Sequence, residues 1–203
     1  MIGLPLGKRG IYGLTVLVFV AVLLAGCAKK IPHFVAPEYD KRGVRLIAVL
    51  PVLNQCKNPE AAALFRGKVL ERIYFNGYPK IPLKDVDEKL SPLYSDYQQP
   101  TPESIPPRGI GEQLGVDAVL YVTLKECDTS FMMLYATTSV AAVFDLRSAK
   151  TNDSLWNTKH SVTERYFEIT PDRLRMRSCQ VFEPSMEEVL DKAMETLPLG
   201  PDA

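Results

Sequence analysis

Residues 116–124 read VDAVLYVTL, and this run decides the fold. A continuous apolar run of this length, rich in valine, predicts a β-strand. A second run, residues 44–53 (VRLIAVLPVL), predicts a strand that is buried on both faces. Because helical segments separate the two runs, we expect the strands to run parallel in one sheet.

Three segments between these strands carry helix signals. Residues 59–76 show apolar side chains near helical spacing, with a proline at the start and Asn-Gly after the end. Residues 82–93 and 110–115 predict two shorter helices, separated by a Pro- and Gln-rich surface loop at 91–108. Residues 78–82 predict a short strand, and its two prolines place this strand at the edge of the sheet.

The last third of the chain predicts an antiparallel addition to the sheet. Residues 131–146 and 153–167 read as two strands with a short polar connection. Residues 184–197 then predict an amphipathic helix. The predicted fold class is therefore α/β, a single mixed sheet with parallel early strands, an antiparallel C-terminal meander and packed helices.

The amino-terminal segment has the pattern of a bacterial lipoprotein signal. Lys8 and Arg9 precede an uncharged apolar run, residues 11–24, which is too short to span a bilayer as a mature helix. The run ends in a lipobox formed by Leu24, Ala25, Gly26 and Cys27. Residues 1–26 are therefore predicted to be a signal peptide, with Cys27 as the residue that carries acyl chains such as palmitate. An ordinary secretory peptide or an anchor helix is the alternative.

A lipid on Cys27 would hold the protein at a membrane by burying hydrocarbon, at about 0.8 kcal/mol per CH₂. The next residue is Ala28 and not aspartate, which under the bacterial sorting rule favours the outer membrane, facing the periplasm or the surface. Residues 27–43 are polar and contain prolines, and they are predicted to be a lipidated tether. Residues 44–200 are predicted to be one α/β domain.

Composition excludes a nucleic-acid role. Removing residues 1–26 takes two basic and no acidic side chains from the balance of 24 and 24, which leaves 22 against 24. Such a chain has no basic footprint for nucleic acid. The 177 residues that remain of 203 correspond to one domain and a tether.

Three runs of residues resemble a known fold. Residues 46–51 (LIAVLP) resemble the first strand of the TolB amino-terminal and CsgG-type fold, and residues 114–120 (LGVDAVL) resemble its helix, glycine and strand entry. Residues 145–156 resemble the strand, turn and strand that close its sheet. Over residues 24–197 the chain is similar to an uncharacterised family of outer-membrane lipoproteins that includes genome-derived bacterial surface antigens. The resemblance implies a TolB-like fold and a CsgG-like envelope partner, and it carries over no catalytic residues.

The remaining cysteines are Cys56, Cys127 and Cys179, in a compartment that permits disulfides. If the strands ending near Cys56 and Cys127 are parallel neighbours, both cysteines lie at one sheet edge and could form a bridge. Three pairings are open, since Cys179 could pair with either or link two molecules. The chain has no Cys-x-x-Cys pair, and its two histidines lie far apart, so we predict no metal and no cofactor.

Other candidate sites each have a structural interpretation. Ser161 and His160 are adjacent in a predicted strand, so their side chains point to opposite faces and cannot act together. This argues against a hydrolase. The acidic residues at 85–88 could bind a cation or favour the positive end of a helix, and those at 187–191 could bind a cation or form a solvated helix face. Trp156 could anchor a partner or cover the core. Residues 131–135 (FMMLY) could receive a partner or lie in the core. The Gly-x-Gly at 109–111 lacks the lysine of a phosphate loop.

These observations lead to one predicted function. The protein is expected to be an outer-membrane-anchored, non-enzymatic accessory or assembly subunit of an envelope complex of the CsgG-like secretion or transport type. An envelope hydrolase is one alternative, and it requires two carboxylates about 5–10 Å apart in a deep pocket. A small-ligand or peptide-binding lipoprotein, which would use an open sheet edge, is the other.

Overall fold

The described residues form one six-stranded mixed sheet, which confirms the predicted α/β fold class. A computed structural model describes residues 30–56, 58–94 and 101–203. The strands are β1 (His33–Val35), β2 (Ile47–Val49), β3 (Leu53–Asn54), β4 (Ala118–Met132), β5 (Tyr135–Ser148) and β6 (Ser154–Phe167). Their order is β1-β6-β5-β4-β2, with β3 paired to β4 beyond β2. β2 and β3 run parallel to β4, and the other neighbours are antiparallel.

Helices cover both faces of the sheet. They are a short 3-10 helix (Tyr39–Arg42), α1 (Pro59–Phe75), α2 (Leu83–Tyr94), α3 (Pro107–Leu114) and α4 (Pro171–Met194). α1 begins as predicted, because Asn58 Oδ1 accepts a hydrogen bond from the Glu60 amide at 3.0 Å. It ends ahead of Gly77, whose φ of +87° favours glycine.

The carboxy-terminal helix is longer than predicted. The sequence pattern starts it at Pro184, whereas α4 begins at Pro171, behind an N-cap in which Thr170 Oγ1 accepts from the Arg173 amide at 3.4 Å. Pro184 therefore lies inside the helix. Packing of the apolar face around Met186 against the sheet supports the helix on the far side of this proline.

β4 sends its side chains alternately into two hydrophobic layers. Leu120 and Val122 face the layer that contains α1 and α4. Val119 and Tyr121 face the layer that contains α2 and α3. The region around these residues is thus buried on both faces, as the continuous apolar run predicts.

The three long strands extend past the short parallel strands. The sequence predicts that β4 ends at Leu124, but β4 continues to Met132 after an irregularity between Leu124 and Glu126. Its 15 residues correspond to about 50 Å. β4 and β5 form a hairpin, and Met133 in its turn has φ +53°. Among the described strands, the sheet beyond Leu124 consists of β4, β5 and β6 alone.

The prediction of a free tether up to residue 43 is wrong from His33 onward. His33 pairs with Thr158 and Val35 with Trp156, so β1 is a strand of the sheet. Tyr39 is buried, and its hydroxyl lies 2.9 Å from the hydroxyl of Tyr78. Composition did not reveal this, because a three-residue edge strand is held by backbone hydrogen bonds and not by a repeating apolar pattern.

The predicted edge strand at residues 78–82 is also absent from the sheet. The segment is irregular and leads from α1 to α2. Tyr78 is buried, and its hydroxyl donates to the Pro198 carbonyl at 2.9 Å. The Tyr78 side chain thus fixes the carboxy-terminal segment.

Candidate functional site

The predicted lipidation site lies outside the described residues, and this applies to Leu24, Ala25, Gly26 and Cys27. In the part of the chain that the structure describes, no helix combines the length and the apolar character needed to cross a bilayer. The lipid anchor therefore stays a prediction from the amino-terminal sequence.

Cys56 and Cys127 are joined by a disulfide, with 5.6 Å between their Cα atoms. Cys56 follows β3, and Cys127 lies within β4, where it is buried. The parallel register of β3 beside β4 brings the two together, as the sequence argument for this pairing required. The side chain of Cys179 is outside the described part of α4.

The described residues contain no group of three or more His, Cys, Asp or Glu side chains that could hold a metal ion. Asp87 instead accepts from Arg66 Nη1 at 2.8 Å, and Arg66 also donates to the Val49 carbonyl. This buried guanidinium links α1 to β2 and α2. Ser161 and His160 are neighbours in β6, so their side chains leave the sheet on opposite faces.

The acidic side chains of α4 form ion pairs with α1. Lys68 Nζ lies 2.6 Å from a Glu183 oxygen and 2.7 Å from a Glu187 oxygen. Arg72 Nε lies 2.7 Å from Asp191 Oδ1. The acidic group at 187–191 thus connects two helices and does not form a cation site.

Replacing Lys68 should change stability in a pH-dependent way. Hydrogen bonds to Glu183 and Glu187 raise the pKa of Lys68 above its ordinary 10.5, and the bond from Lys68 lowers the pKa of Glu187 below its ordinary 4.5. The glutamate contribution is present above pH 4.5 and is lost as the pH falls through the lowered pKa. The lysine contribution is present below pH 10.5 and is lost as the pH rises through the raised pKa.

We therefore expect Lys68→Met to lower the free energy of unfolding by less than about 1 kcal/mol between about pH 5 and about pH 10, with the difference shrinking outside this window. Urea unfolding curves across the pH range measure it. Lys192→Met is the matched control, because Lys192 pairs within α4 with Glu195 and is exposed. A pH-independent difference for Lys68→Met would contradict the assignment.

Trp156 is a core residue and does not anchor a partner. It is fully buried, and its ring centroid lies 6.0 Å from that of Phe144. Its indole N–H donates to Thr196 Oγ1 at 3.1 Å. The interpretation of Trp156 as a residue that covers the core is therefore confirmed.

Two of the described cavities bear on the alternative functions. The larger, about 560 Å³, lies beside β1 and has Asp145 as its one acidic lining residue. That carboxylate is engaged by Arg147 at 2.7 Å and by Ser154 at 2.8 Å. A second cavity, about 510 Å³, contains Asp191 and Glu195, which are both ion-paired. Neither presents the free carboxylate pair that a glycoside hydrolase needs.

The far end of the β4–β5 hairpin exposes a group of large apolar side chains, which we call the hairpin end. Met133 at the turn is 91% exposed. The members of the hairpin end are Phe131, Met132, Met133, Tyr135, Phe167 and Ile169. Residues 131–135 are thus a surface, which settles the choice that the sequence left open. A cluster of exposed large apolar side chains is typical of a surface that contacts a partner or a membrane.

Strand register and one loop hydrogen bond hold the hairpin end together. Met132 pairs with Tyr135, and Tyr135 pairs with Phe167 on β6. The Glu168 amide donates to the Leu134 carbonyl at 2.9 Å, which fixes the start of the loop before α4 beside the hairpin turn. The apolar side chains are therefore presented by connected strands.

A small core lies directly beneath the hairpin end. Ala136, Tyr166 and Leu174 pack together there, and α4 contributes Leu174. The hydroxyls of Thr138 and Tyr166 lie 2.6 Å apart, and those of Thr129 and Thr138 lie 3.0 Å apart. These contacts stiffen the projecting part of the sheet. Sequence reasoning missed Phe167 and Ile169, for which the two apolar residues on either side of Glu168 were the available signal.

The amino-terminal segment enters the sheet from the side on which the hairpin projects. β1 is antiparallel to β6, and His33 lies opposite Thr158 while Val35 lies opposite Trp156. Thr158 Oγ1 donates to the Pro32 carbonyl at 2.9 Å, so Pro32 is also attached to β6. The chain ahead of β1 therefore points along β6 toward Phe167.

Comparisons with known proteins are consistent with this fold. The family model described as "Putative lipoprotein GNA1162-like" matches residues 38–195. The chain is similar to the crystal structure of lipoprotein GNA1162 from Neisseria meningitidis, with 24% identity, a TM-score of 0.54 and coverage of 69% of this chain and 96% of that chain. A comparison with curated proteins found no match.

Two further solved structures are similar to the chain. The PelC dodecamer from Paraburkholderia phytofirmans has 13% identity, a TM-score of 0.48 and coverage of 80% of this chain and 94% of that chain. The LpoB C-terminal domain from Escherichia coli has 15% identity, a TM-score of 0.40 and coverage of 72% and 94%. At these identities the structural likenesses concern the fold alone.

Proposed function

Because the chain belongs to the GNA1162-like lipoprotein family, we propose that Cys27 anchors it in the bacterial outer membrane, where it acts as a non-enzymatic accessory subunit of an envelope complex. The observation that carries the proposal is the lipobox that precedes a domain of a lipoprotein family. The proposed partner is a CsgG-like secretion or transport lipoprotein, as the resemblance of the early strands implies.

The chemistry of the described residues supports an accessory role. The carboxylates that line the two cavities described above are paired with basic side chains. The side chains of Ser161 and His160 leave the sheet on opposite faces. An exposed apolar surface is, by contrast, typical of a protein that works by contact.

The proposal is tested by removing the lipid without removing export. The variant replaces residues 1–26 with an ordinary cleavable secretory signal and carries Cys27→Ser, so that the mature chain reaches the periplasm unlipidated. We expect the natural protein in the outer-membrane fraction, acylated by mass spectrometry, and the variant in the soluble periplasmic fraction. Removing acyl chains that each bury many CH₂ groups should make this shift essentially complete.

Proximity labelling in the same cells tests the partner. The anchored protein should label envelope lipoproteins, and the unlipidated variant should lose most of that labelling. An unacylated natural protein, or an anchored protein that never labels or crosslinks another envelope protein, would overturn the proposal.

A further inference from the structure

We infer that the hairpin end contacts the lipid bilayer, so that the domain is held to the membrane at a second point besides its acyl chains. This inference rests on the proposed lipidation of Cys27. The contact would be made by the exposed side chains of the hairpin end, led by Met132, Met133 and Phe167.

The first argument is the direction of the chain. His33 pairs with Thr158, and the chain ahead of β1 points along β6 toward Phe167. Pro32, which the structure describes just ahead of β1, and the hairpin end therefore lie on the same side of β1. A chain that left in the opposite direction would place the bilayer at the other end of the sheet, near Ser154.

The second argument is the length of the connection. Cys27 precedes His33 by six residues, so the two Cα atoms are at most about 20 Å apart. Phe167 lies nine residues beyond Thr158 along β6, which is about 30 Å. With a lipid at Cys27, an upright domain would push Phe167 at least about 10 Å into the bilayer, so the hairpin end either enters the bilayer or tilts onto its surface, where interfacial apolar groups are buried by about 5–10 Å.

The third argument is the chemistry of the hairpin end and its surroundings. Its members are Met, Phe, Tyr and Ile side chains, which suit the boundary between headgroups and acyl chains. Around them, residues 164–175 hold three acidic and three basic side chains. This balance offers no charge attraction to a partner of either sign, so apolar burial is the driving force and binding should not depend on salt.

The experiment uses the full lipidated protein in phosphatidylcholine bilayers whose acyl chains carry bromine, a short-range quencher of tryptophan. Met133→Trp places a probe at the hairpin end. Leu199→Trp is the matched control, because Leu199 is 72% exposed on the carboxy-terminal segment at the other end of the sheet. The natural protein, whose single Trp156 is buried, supplies the background.

We expect bromine to reduce the emission of the probe at position 133 by about twofold or more, since interfacial groups reach the acyl boundary, and to leave the probe at position 199 unchanged. Adding Met132→Glu to the Met133→Trp chain should abolish the quenching, because a charge opposes entry into hydrocarbon. Raising the salt concentration to 0.5 M should leave the quenching at position 133 unchanged.

Three results would overturn the inference. The first is equal quenching at positions 133 and 199. The second is a blue shift of the tryptophan emission that depends on protein concentration without bromine quenching, which indicates a second copy, and the third is a blue shift that requires an added envelope extract, which indicates a protein partner. The mass spectrum of the same sample separates the two proposals. A protein without acyl chains refutes the proposed function, whereas an acylated protein with an unquenched probe refutes only the bilayer contact.

Discussion

Replacing Cys56 and Cys127 together by alanine is expected to lower the free energy of unfolding by about 4 kcal/mol. The bridge spans 71 residues of sequence, and this loop contains α1, α2, α3 and most of β4 up to Cys127. Cross-linking so long a loop removes much of the conformational freedom of the unfolded chain, and the model of loop entropy gives this value. Alanine is used instead of serine, because a serine hydroxyl at the site of Cys127, which is 5% exposed, would be buried.

Urea unfolding of the natural protein and the double variant, each with and without reductant, measures the effect. Reductant should move the midpoint of the natural protein to that of the variant and leave the variant unchanged. Cys179→Ala is the control for a general effect of thiol loss, and it should keep the sensitivity to reductant. A natural protein whose midpoint ignores reductant would refute the stabilising role of the bridge.

Trp156→Ala is expected to lower the free energy of unfolding by about 3–5 kcal/mol. Trp156 lies opposite Leu146 on β5 and Val35 on β1 and is fully buried. Its ring continues a row of aromatic side chains, since Phe144 lies 6.0 Å from Trp156 and 6.1 Å from Phe65. Alanine leaves a cavity where three strands meet, and the surrounding side chains can fill it only in part.

Circular dichroism must follow this unfolding, because the variant removes the single tryptophan. Trp156→Phe is the matched control, since it keeps a ring in the core and removes the hydrogen bond to Thr196. We expect it to cost about 1–2 kcal/mol. A loss below about 1 kcal/mol for Trp156→Ala would mean that the core can collapse around the missing ring.

The sequence predicted the strands that are buried on both faces better than the short strand β1. Residues 116–124 and 44–53 predicted the parallel pair of β4 and β2, since a strand covered on both faces must be apolar along its whole length. β1 and the irregular segment after Gly77 were misread. A short edge strand is defined by a neighbour's backbone, and a buried Tyr78 looks the same in a strand and in a loop.

The candidate site was predicted in part. The run FMMLY at 131–135 stood out as apolar and Met-rich, but its pattern suits a core strand and a surface equally. The contribution of Phe167 and Ile169 to the same surface is a result of strand register and of the hydrogen bond from the Glu168 amide to the Leu134 carbonyl. Side chains that meet across strands and helices leave no common spacing in the sequence.

The sequence by itself determined the fold class and the predicted lipid anchor, because both depend on local patterns: apolar periodicity in one case and the lipobox in the other. The tertiary structure alone decided which apolar residues are covered. The residues of β4 near Leu120 and those near Met132 are comparably apolar, but helices pack over the former, whereas the latter project past α2 and α3. Burial depends on which elements reach a surface, and that is a property of the assembled layers.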